Sequence, residues 1–79
     1  MAKPPARRAE PIPLPVRLPI RLDQALQRMD AVATGGHAKL RVQEGEVRVN
    51  GAVETRRGRK LAAGDLIEVD DQRAVLTEE

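Results

Sequence analysis

Residues 34–51, TGGHAKLRVQEGEVRVNG, contain the change of hydrophobic period that decides the fold. Thr34 is a residue type favoured at helix N-caps and Gly45 favours a helix end, so a short helix is predicted over residues 35–44. After Gly45 the apolar residues occupy every second position, as in a strand, and Asn50-Gly51 is typical of a two-residue hairpin turn. The stretch therefore predicts a helix followed by the first hairpin of a sheet.

The predicted helix has no clean apolar stripe. Ala38 and Val42 share one face, whereas Leu40 points roughly the opposite way. Either the helix is wedged between two layers or Leu40 is exposed to solvent. Of these two arrangements we expect the wedge.

A second helix is predicted on the N-terminal side of this stretch. Leu22, Ala25, Leu26 and Met29 follow the spacing of one helix face, which predicts a helix that ends between Met29 and Val32. All six prolines lie in the first 19 residues, and proline fixes an extended backbone and removes a hydrogen-bond donor. We therefore predict a proline-rich disordered arm over residues 1–18 and one ordered domain over residues 19–77.

Two further strands are predicted towards the C-terminus. Residues 66–69 and 73–76 have strand character, and Asp70-Asp71 supplies a turn between them. Two helices on one side of a small antiparallel sheet is the packing that this order favours. The predicted fold class is α+β.

The composition excludes several classes of function. The 79 residues include no Cys, no Ser, no aromatic residue and one His. A disulfide framework, a thiolate zinc site and a nucleophilic triad are therefore not expected, and neither is the stacking of unpaired bases on aromatic rings. No apolar run is long enough for a membrane span. We expect no metal, no cofactor and no small-molecule substrate.

The charges are unevenly distributed. Residues 1–64 hold 13 Lys or Arg and six Asp or Glu, whereas residues 65–79 hold one Arg and six acidic residues. Eleven of the 14 basic residues are Arg, which forms bidentate contacts with phosphate. A basic body with an acidic end indicates an anionic partner on one face, with a mixed solvated surface as the alternative.

Five segments, in this order and spacing, are similar to a known family: Arg21-Leu22-Asp23, Thr34-Gly35-Gly36-His37-Ala38-Lys39, Glu44-Gly45-Glu46-Val47-Arg48-Val49-Asn50-Gly51, Glu54-Thr55-Arg56 and Gly64-Asp65-Leu66-Ile67. Together they resemble the S-four RNA-binding domain over residues 20–69, and most closely its short stand-alone bacterial members. The resemblance implies the alpha-L fold and RNA binding. Many members have a Ser-Arg pair where this chain has Thr34-Gly35, so one expected RNA contact is missing. Lys39 and the backbone amides of Gly35 and Gly36 are the candidate replacements.

The candidate RNA-binding residues form a predicted basic groove made by the second helix, the hairpin and the loop at residues 56–60. They are Arg21, Thr34, Gly35, Gly36, Lys39, Arg41, Arg48, Asn50, Arg56, Arg57, Arg59 and Lys60. Because the chain has no aromatic residues to stack on bases, structured RNA is the favoured target. That RNA would be ribosomal RNA, transfer RNA or a precursor.

The sequence favours a non-catalytic RNA-binding protein, and we expect it to be cytoplasmic and monomeric. The alternative is a protein-interaction adaptor that retains the fold without binding RNA. An enzyme is disfavoured, because the pseudouridine synthases that carry this domain have their chemistry in a separate large domain, for which this chain has no room.

Overall fold

The structure is a computed structural model that describes residues 10–79. Within this range the chain forms two helices, α1 (Leu22–Arg28) and α2 (Gly35–Gln43). It also forms seven strands, which are β1 (Ile12–Val16), β2 (Ile20–Arg21), β3 (Val47–Val49), β4 (Ala52–Val53), β5 (Lys60–Leu61), β6 (Leu66–Val69) and β7 (Gln72–Glu78). The predicted α+β class is confirmed. Neither helix in the described range is long and apolar enough to cross a membrane.

The strands form a five-stranded sheet in the order β1-β7-β6-β3-β4 and a two-stranded sheet of β2 and β5. In the larger sheet, the neighbouring strands β7, β6, β3 and β4 pair antiparallel, as the sequence predicts. β1 pairs with β7 in parallel, so the expectation of a wholly antiparallel sheet is wrong at this edge. The parallel pairing is possible because the chain passes through both helices and five strands before β7 returns beside β1.

Residues 12–16 form an edge strand, although the sequence placed them in a disordered arm. The carbonyl of Val16 accepts a hydrogen bond from the Glu79 N–H at 3.0 Å, so alternate residues of β1 face β7. Pro13 and Pro15 therefore face away from β7, where a missing N–H removes no bond from the sheet. The remainder of the expected arm, residues 1–9, lies outside the described residues.

The helices begin with side-chain caps. Thr34 Oγ1 accepts a hydrogen bond from the His37 N–H at 3.1 Å, which confirms the predicted N-cap of α2. At the start of α1, Gln24 Oε1 accepts a hydrogen bond from the Arg21 N–H at 3.1 Å. Each contact satisfies a backbone donor that the helix itself leaves unpaired.

One face of α2 packs on the core and the other face is open. Ala38 and Val42 are buried, whereas Leu40 is 56 % exposed. The expected wedge is therefore wrong, because α2 lies at the outside of the molecule. The core beneath it joins residues from both helices and both sheets, which are Val16, Ile20, Leu22, Ala25, Leu26, Val32, Ala38, Val42, Val47, Val49, Leu61, Ile67, Val69 and Leu76.

Candidate nucleic-acid interface

The start of α1 is hydrogen-bonded to the segment that follows the first hairpin. The Leu22 N–H donates to the Arg59 carbonyl at 2.9 Å, and the Asp23 N–H donates to the Arg57 carbonyl at 3.0 Å. In the small sheet, Arg21 lies opposite Lys60. Basic residues that are more than 30 positions apart in the sequence are thereby brought to one place.

Asp23 lies between two arginines from these two segments. Its side chain is only 8 % exposed, its Oδ1 lies 3.2 Å from Arg21 Nε, and its Oδ2 lies 3.9 Å from Arg57 Nη1. Oδ1 also accepts a hydrogen bond from the Gln24 N–H at 2.9 Å. A carboxylate with this little exposure is tolerated because it is paired and hydrogen-bonded. Both guanidinium side chains remain about half exposed, at 52 % each.

Glu54 holds a second pair of arginines in the same way. Its side chain is 8 % exposed, with Arg56 Nε at 3.1 Å from Oε2 and Arg59 Nη1 at 2.8 Å from Oε1. The Arg56 N–H also donates to Oε2 at 3.0 Å. Hydrogen bonds from Arg56 and Arg59, which stabilise the ionised form, lower the pKa of Glu54 from 4.5 to about 2. The carboxylate is therefore charged throughout the neutral range.

We refer to the five basic residues around these two carboxylates as the cationic cluster; they are Arg21, Arg56, Arg57, Arg59 and Lys60. Five positive charges against two carboxylates leave a formal excess of three. The carboxylates are nearly buried, whereas Arg56 is 76 % exposed and Lys60 is exposed. An anion that approaches from solvent therefore meets the cations before it meets the acids.

The first turn of α2 lies next to α1. A Cβ added at Gly35 would lie 3.5 Å from Gln27 Nε2, so the two helices are close at this point. Thr34, Gly35, Gly36 and Lys39 are all exposed. The amides in the first turn of a helix have no partners within the helix, and they carry the positive end of its dipole. The α2 entry therefore presents backbone donors and one lysine to solvent.

Arg41 lies elsewhere and has two acidic partners. It pairs with Glu46, and its Nη2 lies 2.6 Å from Asp70 Oδ1. The hydrogen bond from Arg41 to Asp70 is the main cause of the raised pKa of Arg41. With 17 % of its side chain exposed, Arg41 ties the end of α2 to the β6–β7 turn. No hydrogen bond or ion pair of its side chain within residues 10–79 joins it to the cationic cluster.

Asn50 and Arg48 belong to the hairpin. Asn50 has a φ of 54°, donates from Nδ2 to Asp65 Oδ1 at 3.1 Å, and accepts at Oδ1 from the Leu66 N–H at 2.9 Å. Both ends of its amide thus connect the hairpin turn to the start of β6. Arg48 is exposed on β3, and its Nη1 lies 3.4 Å from the Gly51 carbonyl. Five of the predicted site residues thus lie together in the cationic cluster at the start of α1. Thr34, Gly35, Gly36 and Lys39 lie at the α2 entry, and Arg41, Arg48 and Asn50 belong to neither group.

Sequence reasoning missed the two carboxylates that organise the cluster. In the sequence, Asp23 and Glu54 are recognisable only as members of two of the segments that resemble the family. A signal was present, because each acid lies two positions from an arginine, in Arg21-Leu22-Asp23 and in Glu54-Thr55-Arg56. What the sequence does not show is that both acids are buried and that each takes a second arginine from further along the chain.

Comparison with known proteins identifies the fold. The family model described as the S4 domain matches residues 16–77, which is most of the chain. The probable ribosome maturation protein RlbA of Bacillus subtilis (strain 168) is 42 % identical over 62 residues, which are 78 % of this chain and 86 % of that protein. The resemblance to the S-four domain is thereby confirmed. The chain belongs to the S4 domain family.

Proposed function

We propose that this protein is a non-catalytic RNA-binding protein, and that it holds structured RNA against the cationic cluster and the exposed first turn of α2. Membership of the S4 family supports RNA binding, and the name of the Bacillus subtilis relative supports a role in ribosome maturation. Ribosomal RNA or its precursor is therefore the proposed ligand, and the cytoplasm is the compartment that such a role implies.

The observation that carries this proposal is the pairing of two nearly buried carboxylates with four arginines. Guanidinium groups form bidentate contacts with phosphate oxygens, and less conformational entropy is lost on binding when the groups are already positioned. Because the chain has no aromatic residue to stack on bases, phosphate position and helix shape are the features that it would recognise.

The salt dependence of RNA binding tests the proposal. Arg57→Gln removes one cation of the cluster, and Arg73→Gln removes one cation from β7, where Arg73 pairs with Glu68 at 3.2 Å. Fluorescence anisotropy with a labelled ribosomal RNA hairpin would be measured over a range of salt concentrations. Arg57→Gln should weaken binding and make the slope of log K against log salt shallower by roughly 0.7–0.9, the value for one lost phosphate contact.

The control variant Arg73→Gln should have the same slope of log K against log salt as the wild type. If the wild type contacts about five phosphates, that slope is roughly −3.5 to −4.5. Equal slopes for the two variants would contradict a role for the cluster. Wild-type protein that binds no structured RNA, but captures a protein partner in a salt-insensitive and nuclease-resistant way, would support the adaptor alternative instead.

A further inference from the structure

A polar depression lies beside the cationic cluster, between the β1–β2 connection and the outer face of α1. Its volume is about 350 Å³, and it is lined by Arg17, Pro19, Ile20, Gln24, Gln27 and Arg28. It adjoins the cluster directly, because Ile20 precedes Arg21 in β2 and Gln24 Oε1 accepts the Arg21 N–H. None of these six residues is among the twelve RNA-binding residues predicted from the sequence.

The two arginines of the depression differ from those of the cluster. Arg17 and Arg28 are exposed, and neither forms an ion pair with any carboxylate within residues 10–79. The arginines of the cluster, by contrast, share two buried acids. No acidic residue lines the depression. Its positive charge is therefore fully available to a ligand.

Two glutamines also line the depression, and Gln24 supplies it with a neutral donor. The Oε1 of Gln24 is occupied by the Arg21 N–H, which leaves the Nε2 group of Gln24 as a donor. The Nε2 of Gln27 lies towards the first turn of α2, since it is the atom nearest to a Cβ built at Gly35. Two guanidinium groups and the amide N–H₂ group of Gln24, without a carboxylate, form a donor set that favours an anion with several acceptor oxygens.

We infer that this depression is a phosphate-binding subsite, and that it takes a backbone phosphate of the RNA next to those held by the cationic cluster. This inference rests on the proposed function. It adds Arg17 and Arg28 to the RNA-binding surface. It also defines the path of the bound strand over the protein, from the 54–60 segment across Arg21 and along the outer face of α1.

An NMR titration with inorganic phosphate tests the subsite without RNA. In ¹⁵N-labelled wild-type protein, the side-chain N–H₂ signals of Gln24 and Gln27 should shift in a saturable way as phosphate is added. The shifts should be lost in the double variant Arg17→Gln/Arg28→Gln and kept in the control Arg73→Gln. A backbone spectrum of each variant, with peak dispersion like that of the wild type, verifies that it is folded.

Anisotropy with the ribosomal RNA hairpin then distinguishes the source of the phosphate. If the RNA occupies the subsite, the double variant should have a salt slope shallower by roughly 0.7–0.9 than wild type. If the wild-type signals shift saturably with phosphate but the double variant keeps the wild-type salt slope for RNA, the RNA contact is refuted. The depression would then be a site for free phosphate. Absence of saturable shifts in wild type, together with an unchanged RNA slope in the double variant, would overturn the inference entirely. Failure of the proposed function is a separate result, in which the wild-type protein does not bind the hairpin.

Discussion

Glu54 Oε1 and Arg59 Nη1 lie 2.8 Å apart, which ties the carboxylate at one end of the 54–60 segment to a guanidinium near its other end. The second oxygen of Glu54 accepts from the backbone and side chain of Arg56. One acid therefore fixes the shape of the segment and the positions of two arginines. The negative charge of Glu54 weakens the binding of an anionic ligand, whereas its positioning of the two arginines strengthens that binding. The two effects can be separated experimentally.

Glu54→Gln should weaken RNA binding although it removes a negative charge. A neutral amide holds two guanidinium groups less well, so more side-chain freedom is lost when the RNA binds, at a cost of about 0.5–1.5 kcal/mol for each arginine. The more positive net charge of the variant offsets part of this cost. We therefore expect the RNA dissociation constant to rise roughly 3- to 10-fold in anisotropy measurements, which corresponds to about 0.7–1.4 kcal/mol.

The matched control is Glu44→Gln, which removes an equal charge at the C-cap of α2, where Glu44 is exposed. This variant should bind the RNA as tightly as wild type or slightly more tightly, because net charge alone changes. If Glu54→Gln tightened binding to the same degree as Glu44→Gln, a positioning role for Glu54 would be refuted.

The same carboxylate predicts an acid-dependent loss of stability. Arg56 and Arg59 lower the pKa of Glu54 from 4.5 to about 2 in the folded protein. A lowered pKa in the folded state means that the stabilisation is complete above about 4.5 and is lost as the pH falls towards 2. Urea denaturation of wild type and Glu54→Gln should therefore show a difference in unfolding free energy at pH 6 that shrinks by pH 2.5. A difference that stays constant over this range would contradict the pairing.

Local patterns in the sequence predicted the elements that depend on neighbouring residues. The cap at Thr34 and the turn at Asn50-Gly51 both follow from side-chain and backbone preferences within a few positions. The edge strand β1 could not be predicted in this way, because prolines at alternate positions are compatible with an extended arm and with an edge strand alike. Only the distant strand β7 decides between them.

The candidate site was predicted less completely, for a related reason. Counting charges identified the basic run at residues 56–60 but could not determine which cations share an acid and which do not. Arg41 has two acidic partners, one of them 29 positions away, whereas Arg28 has none within residues 10–79. Partners that come from other elements are set by the fold, and therefore they cannot be derived from spacing alone.

Asn50 should matter for stability more than for RNA binding. Asn50→Gly keeps a residue that tolerates the φ of 54° but loses the side-chain bonds to Asp65 and Leu66, whereas Asn50→Ala loses both features. We expect the glycine variant to be destabilised by about 1 kcal/mol and the alanine variant by about 2 kcal/mol, as measured by urea denaturation. Equal stability of both variants and wild type would show that the amide does not hold the hairpin to β6. The RNA salt slope should not change in either variant.

Arg41 provides the contrast between a paired cation and an available one. Arg41→Gln removes its ion pairs with Glu46 and Asp70, and because both acids are well exposed they are then solvated at little cost. The expected loss of stability is about 1 kcal/mol or less, visible as a small decrease in the thermal unfolding midpoint. Since two acids already neutralise Arg41, its removal should change the RNA salt slope by clearly less than the removal of Arg57. A slope change as large as that of Arg57→Gln would instead mean that Arg41 leaves its acidic partners to contact the RNA.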